Sequence, residues 1–167
     1  MSERGEMEYR EFASARATQL FRLAFLMCGD WHEAEDLVQT TLAKLFVAWN
    51  RVRRRNSMDT YARRVLVNAF LSQRRLKRSR EMPTAQFADR SAPAVDADLR
   101  LTLVAALRQL PPRSRAVVVL RHVEDHSIES VAGLMGVTPA AVKSLNTRGL
   151  AQLRELLSGD QQHLFQP

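Results

Sequence analysis

Apolar residues recur at alternating spacings of three and four along both halves of the chain, and one interior stretch lacks this pattern. The clearest run lies between residues 34 and 49. Such spacing places a single apolar stripe along one face of a helix. The sequence therefore predicts an amphipathic helix of about five turns here. The stripe consists of Ala34, Leu37, Val38, Thr41, Leu42, Leu45, Phe46 and Trp49.

Helical patterns also flank this run on both sides. An earlier helix is predicted from about Met7 to Met27. A later helix is predicted from Met58 to about Lys77, and its pattern is also compatible with a break within this range. Arginines lie between the apolar positions of the later helix, which predicts a core face and a basic face. The apolar positions are Phe12, Leu20, Leu23 and Met27 in the earlier helix, and Tyr61, Val65, Ala69 and Leu76 in the later one.

The periodicity fails between Ser79 and Asp98, where Pro83, Pro93 and several alanines stand instead. Proline interrupts helices, and this composition is typical of a linker. The sequence therefore predicts an all-α protein with two small helical domains. Their expected bounds are 1–78 and 99–158, with 79–98 as a flexible linker and 159–167 as a tail.

The second half of the chain predicts four helices, of which the last two form a helix-turn-helix. Ser127 is a good N-cap for a short helix to Met135, and Gly136 can end that helix. A second helix from about residue 140 to 157 then follows Thr138 and Pro139, a cap and a first-turn proline. In such a motif the second helix enters the major groove of DNA. The two preceding helices have apolar positions at Leu99, Leu103, Leu107 and Leu110, and at Ala116, Val119, Leu120 and Val123.

Positive charge is concentrated in one part of the chain. Residues 51–82 contain 11 Lys and Arg against two acidic residues, a net charge of +9, whereas the remaining residues sum to −2. Neutralisation of phosphates with release of counterions supplies most non-specific affinity for nucleic acid. The basic segment therefore favours a surface that faces a polyanion over a merely solvated face.

Several classes of protein are disfavoured by the same sequence. The longest apolar run, residues 23–28, is far shorter than the roughly 20 residues of a membrane-spanning helix, and the charged N-terminus is unlike a secretion signal. We therefore expect a cytoplasmic protein without membrane insertion. Cys28 has no cysteine partner, and His122 and His126 lack a third ligand, so no metal is expected. No Gly-rich phosphate loop or other cofactor motif is present, and no catalytic residues are expected.

Two motifs in order resemble those of extracytoplasmic-function sigma factors, most closely the actinobacterial SigE-type subfamily. Residues 34–49 are similar to the polymerase-binding helix of sigma region 2, and residues 61–68 to its promoter-reading helix. The C-terminal half resembles the promoter-binding region 4. That resemblance depends on Leu110-Pro111-Pro112-Arg113, Arg115, Val118, Leu120, Arg121, Ser127, Val131-Ala132, Met135-Gly136-Val137, Val142-Lys143-Ser144 and Arg148.

The resemblance implies a role for each group of residues. Asp36, Gln39 and Thr40 would bind the polymerase, although the family often has Glu where Thr40 stands. The minus-10 element would meet Arg63, Arg64, Asn68, Arg74, Arg75, Lys77 and Arg78, with Asn68 reading an unpaired base and the arginines holding phosphates. The minus-35 element would meet Lys143, Ser144, Asn146, Thr147 and Arg148, with Leu145 where the family often has Arg.

The implied partners are promoter DNA, an anti-sigma factor and RNA polymerase core, through the clamp of its largest subunit and the flap of the second-largest. The implied function is promoter-specific initiation without catalytic activity. The alternative is a free-standing helix-turn-helix regulator whose N-terminal domain senses or dimerises. Such a regulator would not support specific initiation by the core enzyme alone.

Overall fold

The computed structural model describes the backbone of residues 1–79 and 95–164 and the side chains of residues 1–79 and 99–159. Within those ranges the regular secondary structure is entirely α-helical, which confirms the predicted fold class. The chain divides into two compact units, Met1–Leu76 and Lys77–Pro167. The helices are α1 (Glu3–Cys28), α2 (Trp31–Arg53), α3 (Met58–Ser79), α4 (Val95–Gln109), α5 (Pro112–His122), α6 (Ile128–Met135) and α7 (Pro139–Leu164).

Two helix ends differ from the sequence expectations. Helix α4 begins at Val95, inside the predicted linker, and α7 continues to Leu164, beyond the predicted start of the tail at residue 159. Both extensions follow from composition, because residues 95–98 contain no helix breaker, and Gly159 costs a helix only about 1 kcal/mol relative to alanine. Most of the predicted linker and the last three residues lie outside the described residues.

The first unit is organised by the turn between α1 and α2. Gly29 ends α1 with a φ of 69°, a left-handed conformation that glycine adopts without steric cost, and its N–H donates to the carbonyl of Phe25. Asp30 then caps α2 by accepting a hydrogen bond from the N–H of Glu33 at 2.9 Å. A turn this short folds α2 back onto α1, with which it makes extensive contact.

Trp49 lies at the centre of the core of this unit. Its ring is 5.5 Å from the rings of both Tyr9 and Phe12. The hydroxyl of Tyr9 donates to the carbonyl of Leu42 at 2.9 Å, and burial raises the pKa of this tyrosine. All three helices contribute to the buried set, which includes Leu23, Met27, Leu37, Leu45, Trp49, Leu66, Val67 and Phe70.

Four predicted core positions lie at the surface instead. Phe46, Leu76, Leu99 and Val123 are between 42% and 74% exposed. Each occupies the edge of an apolar stripe or the end of a helix, where a small rotation or one missing neighbour leaves a side chain uncovered. Cys28, by contrast, is buried in the core.

The second unit is built around α5, whose residues 114–120 are all buried. Arg115 is one of these buried residues. Nη2 of its guanidinium donates to the carbonyls of Arg108 and Leu110, both at 3.0 Å. These carbonyls lie in the last turn of α4 and directly after it, where the end of a helix offers its carbonyls to donors from outside the helix. Arg115 therefore caps α4 and fixes the bend between α4 and α5.

Helix α7 approaches α5 very closely at Gly149. A Cβ added to this glycine would lie 2.8 Å from Cγ2 of Val118 and 3.4 Å from the carbonyl oxygen of Ser114. Valine is stiff at χ1, and its backbone is held within a buried helix, so neither atom can move away easily. The close crossing of α5 and α7 thus requires glycine at position 149.

Gly149→Ala should lower the free energy of unfolding of the second unit by about 1 to 3 kcal/mol, the usual cost of overpacking. The matched control is Gly133→Ala in α6, where an added Cβ meets nothing within 4 Å and should stabilise the helix. Urea unfolding followed by circular dichroism measures both. Equal stability of the two variants would contradict the assigned crossing.

Candidate nucleic-acid and polymerase-binding surfaces

Helix α3 carries a continuous row of exposed polar side chains, here called the α3 outer row. It consists of Arg64, Asn68, Ser72 and Arg75, all of which are exposed. Spacings of four, four and three residues keep these side chains on one side of the helix. The opposite side contains Leu66, Val67 and Phe70 and is buried. Three of the seven residues predicted to meet the minus-10 element therefore share one accessible surface.

Two other arginines of this predicted group are engaged inside the first unit. Nη2 of Arg74 lies 2.7 Å from Oε2 of Glu33 and 3.1 Å from the carbonyl oxygen of Cys28, and its side chain is only 15% exposed. Nη1 of Arg63 lies 3.6 Å from Oδ1 of Asp59. The structure thus separates Arg74 and Arg63 from the α3 outer row. Of the remaining two, Lys77 is half-buried and Arg78 is exposed.

A concave basic surface adjoins the start of the α3 outer row. It encloses about 370 Å³ and is lined by residues from the end of α2, the following turn and the start of α3. The Arg51 guanidinium lies 6.0 Å from the centre of the Tyr61 ring. Cations beside an aromatic ring suit a nucleotide, whose phosphate is anionic and whose base can stack. The lining residues are Arg51, Val52, Arg55, Ser57, Thr60, Tyr61 and Arg64.

Arg51 and Arg55 belong to no site that the sequence predicts. They contribute to the charge of the basic segment, and only the structure shows that they line the same concavity as Arg64. The available signal was the run of arginines directly before the predicted start of α3. Because this run of arginines lies where the chain reverses between α2 and α3, it is placed beside the first helical turn of α3.

The residues predicted to bind polymerase lie on the outer side of α2. Asp36 and Gln39 are exposed and Thr40 is half-buried, whereas the neighbouring Leu37 and Val38 are in the core. Ala43 and Val47 extend the same side of the helix towards its C-terminus, and Val47 is 87% exposed. A surface of this kind, polar at one end and apolar at the other, suits contact with another protein.

Helices α6 and α7 form the predicted helix-turn-helix. Ser127 caps α6 by accepting from the N–H of Ser130 at 3.0 Å, and Gly136 ends it in the left-handed region with a φ of 66°. Thr138 then accepts from the N–H of Ala141 at 3.1 Å and caps α7. The two capping residues predicted from the sequence, Ser127 and Thr138, therefore both make the expected capping hydrogen bonds.

Four of the five residues predicted to meet the minus-35 element are exposed along the first turns of α7, namely Lys143, Ser144, Thr147 and Arg148. The buried side of these turns consists of Val142 and Gly149, and Leu145 is half-buried. Donors and acceptors of this type read base edges and phosphates in a groove.

The fifth residue, Asn146, has a partner within the protein. Its Oδ1 lies 2.9 Å from Nε2 of His122, the last residue of α5. His126 is engaged separately, with Glu124 at 3.1 Å and Ser130 at 3.3 Å. Among the described residues, no three His, Cys, Asp or Glu side chains lie close enough together to hold a metal ion.

The helical units and exposed basic surfaces define a two-part nucleic-acid-binding protein. The chain matches the families described as Sigma-70 region 2, over residues 12–80, and Sigma-70, region 4, over residues 100–153. It is 36% identical over 155 residues to the RNA polymerase sigma-E factor of Streptomyces coelicolor, covering 90% of this chain and 86% of that protein. It is also 35% identical to the ECF RNA polymerase sigma factor SigE of Mycolicibacterium smegmatis, covering 89% and 61%.

Two solved structures have a similar fold. The sigma factor RpoE of Bartonella quintana, crystallised with the anti-sigma factor NepR, gives a TM-score of 0.70 at 24% identity and covers 90% of this chain and 97% of that one. CnrH in complex with the cytosolic domain of CnrY gives a TM-score of 0.68 at 20% identity, covering 93% and 90%.

The chain belongs to the sigma-70 family and is an RNA polymerase sigma factor of the extracytoplasmic-function (ECF) group. It is therefore a transcription initiation factor that directs core polymerase to promoters, without catalytic activity of its own. The region 2 match and the relatives' names favour this function over a free-standing regulator. Among the described helices, none combines the length and the hydropathy needed to cross a bilayer.

Arg74→Ala should destabilise the first unit by about 1 to 3 kcal/mol, because it removes hydrogen bonds between a charged donor and two largely buried acceptors. Arg75→Ala changes the adjacent but exposed residue and should alter stability by less than about 0.5 kcal/mol. Urea unfolding followed by tryptophan fluorescence measures both, since Trp31 and Trp49 lie in this unit. Equal effects would show that Arg74 has no structural role.

Proposed function

We propose that the α3 outer row binds the melted minus-10 element and that Asn68 reads one of its bases. The observation that supports this best is the position of Asn68, exposed between Arg64 and Arg75 on one side of α3. A single strand laid along this row meets cations that bind phosphates on either side of an amide that donates and accepts. Arg78 adds a further phosphate contact at the end of the helix.

The concavity at the start of α3 takes part in the same contact. Arg51, Arg55 and Arg64 place three cations around its rim, and Tyr61 offers a ring for stacking. A flipped nucleotide presents an anionic phosphate and an aromatic face, which match these two kinds of group. The minus-10 surface thus extends from this concavity along the α3 outer row.

Lys143, Ser144, Thr147 and Arg148 meet the minus-35 element as duplex DNA. Their exposure on the first turns of α7, directly after the capped turn at Thr138, supports major-groove entry by this end of the helix. Asn146 contributes from the edge of this surface.

Asp36, Gln39 and Thr40 bind the clamp of the largest polymerase subunit, and Val47 extends this contact. The support is the exposure of Asp36 and Gln39 on the side of α2 that faces away from the buried Leu37 and Val38. A contact of the second unit with the polymerase flap follows from the family alone. The protein works in the cytoplasm, where bacterial polymerase acts.

The segment 79–98 links a region 2 domain of 1–78 to a region 4 domain of 99–158. Its proline and alanine content supports this role. An anti-sigma factor is a further partner, since both similar solved structures are complexes of a sigma factor with a protein partner, named as an anti-sigma factor in one of them.

Asn68→Ala should impair open-complex formation by about 1 to 3 kcal/mol, the usual worth of one good base contact, and leave duplex binding at minus-35 nearly intact. Arg148→Ala should weaken binding to duplex DNA before melting. A template with a pre-melted minus-10 bubble should therefore partly bypass the Arg148 defect but not the Asn68 defect. Transcription by reconstituted holoenzyme on both templates measures the difference.

Matched controls are Asn50→Ala on α2 and Arg154→Ala on α7, both at exposed positions. Arg154 lies about 120° around the helix from Arg148, away from the proposed groove surface. Neither control should change initiation on either template. If Asn68→Ala and Arg148→Ala respond identically to the bubble, the assignment of separate DNA elements to the two helices is wrong.

A further inference from the structure

The turn between α2 and α3 contains a serine that follows a run of arginines. The sequence there is Arg53-Arg54-Arg55-Asn56-Ser57, and its last four residues lie outside both helices. Arg54 and Arg55 are exposed. Exposed arginines at the second and third positions before a serine form a charge pattern of the kind by which serine kinases with acidic substrate grooves select their targets.

Ser57 also lines the basic concavity beside the start of α3. Its carbonyl accepts the first hydrogen bond of that helix, from the N–H of Tyr61 at 2.9 Å. Arg51, Arg55 and Arg64 line the same concavity of about 370 Å³. The serine therefore shares one concave surface with three guanidinium groups, at the N-terminal end of a helix.

These surroundings suit a phosphate on Ser57. Phosphoserine carries a charge of about −2 and strong acceptor oxygens, which arginines bind through charge-assisted hydrogen bonds. The N–H groups of the first turn of α3 favour negative charge at the same place. A carboxylate close by in the chain, Asp59, is paired with Arg16 of α1, whose Nε lies 3.0 Å from its Oδ1. This ion pair reduces the repulsion between Asp59 and the phosphate.

We propose that Ser57 is a phosphorylation site and that its phosphate occupies the basic concavity, where it excludes the melted minus-10 strand. An arginine-selecting serine kinase transfers the γ-phosphoryl group of a nucleoside triphosphate. A bond forms between Oγ of Ser57 and phosphorus, the bond from phosphorus to the bridging oxygen breaks, and the nucleoside diphosphate leaves. The serine proton passes to the base of the kinase. This proposal rests on the proposed part of the concavity in binding the melted strand.

The phosphate and the DNA strand compete for the same cations. The phosphate is covalently attached beside them, so it binds intramolecularly and at a high effective concentration. Its charge offsets about two of the three positive charges that line the concavity. Binding of the melted strand is then weakened, whereas the helix-turn-helix of the second unit is chemically unchanged.

The first test uses the purified full chain, ATP and the catalytic subunit of cyclic-AMP-dependent protein kinase, which selects serines with arginines at these two positions. Tandem mass spectrometry should locate the phosphate on Ser57. Arg54→Ala should slow this modification about ten-fold or more, because one charge-assisted contact to the kinase is lost. Ser79 has Leu76 at the third position before it and should be modified more slowly than Ser57.

The second test installs phosphoserine at position 57 during translation, with phosphoserine at position 14 as the matched control. Ser14 is exposed on α1, outside the concavity, and its helical neighbours Arg10 and Glu11 carry opposite charges. Phosphorus-31 NMR should give a lower pKa for the phosphate at position 57, because the nearby guanidinium groups stabilise its dianion. Arg51→Ala should raise that pKa.

The same two phosphorylated chains are then compared as holoenzymes with core polymerase. Phosphoserine at position 57 should weaken binding of a single-stranded minus-10 oligonucleotide about ten-fold or more, since the loss of one charge-assisted contact suffices. The salt dependence of this binding should become shallower, because fewer cations meet the strand. Binding of a minus-35 duplex should not change, and phosphoserine at position 14 should alter neither.

The inference is overturned if the kinase leaves Ser57 unmodified, if the two phosphates have the same pKa, or if the two phosphorylated holoenzymes bind the single strand equally. Arg51→Ala and Arg64→Ala in the unmodified chain separate this failure from that of the proposed function. If both weaken strand binding while the phosphate at position 57 does not, only the phosphorylation switch is wrong. If neither weakens it, the part of the concavity in minus-10 binding also fails.

Discussion

The hydrogen bonds of Arg74 to Glu33 and to the carbonyl of Cys28 join α3 to the turn between α1 and α2. They act together with the burial of Leu66 and Phe70, which fixes the inward side of α3. Rotation of α3 is then no longer free, and Arg64, Asn68 and Arg75 must face outward. The proposed minus-10 surface therefore depends on an arginine that does not belong to it.

The second unit positions its DNA-facing helix by contacts on the other side of that helix. Gly149 allows the backbones of α5 and α7 to pack closely together. This close packing fixes the crossing angle between the two helices. Arg115 fixes the bend before α5, and His122 reaches Asn146 from its end. Arg74 and Arg115 are largely buried and make contacts that shape the fold, whereas Arg75 and Arg148 stay exposed. The Lys and Arg residues of this chain thus have two separate roles: some stabilise the fold, and others provide exposed positive charge.

The sequence predicted the helices and the two-part organisation because caps and apolar spacing are local signals. Ser127, Gly136 and Thr138 each act in the structure as their residue types suggest. It did not distinguish Arg74 from Arg75, since neighbouring arginines are chemically equivalent until Glu33 is brought beside one of them. The links of Arg51 to Tyr61 and of His122 to Asn146 also join different helices, which spacing along the chain cannot reveal.

The two proposed DNA-binding surfaces of this chain differ in their targets, which are a melted strand for one and a duplex for the other. Photo-crosslinkers introduced at the exposed Ser72 and at Thr147 in the open promoter complex test this most directly. Crosslinks from position 72 should map to the melted minus-10 strand and those from position 147 to the minus-35 duplex. Crosslinks from both positions to the same element, or none from position 72 to the melted strand, would contradict it.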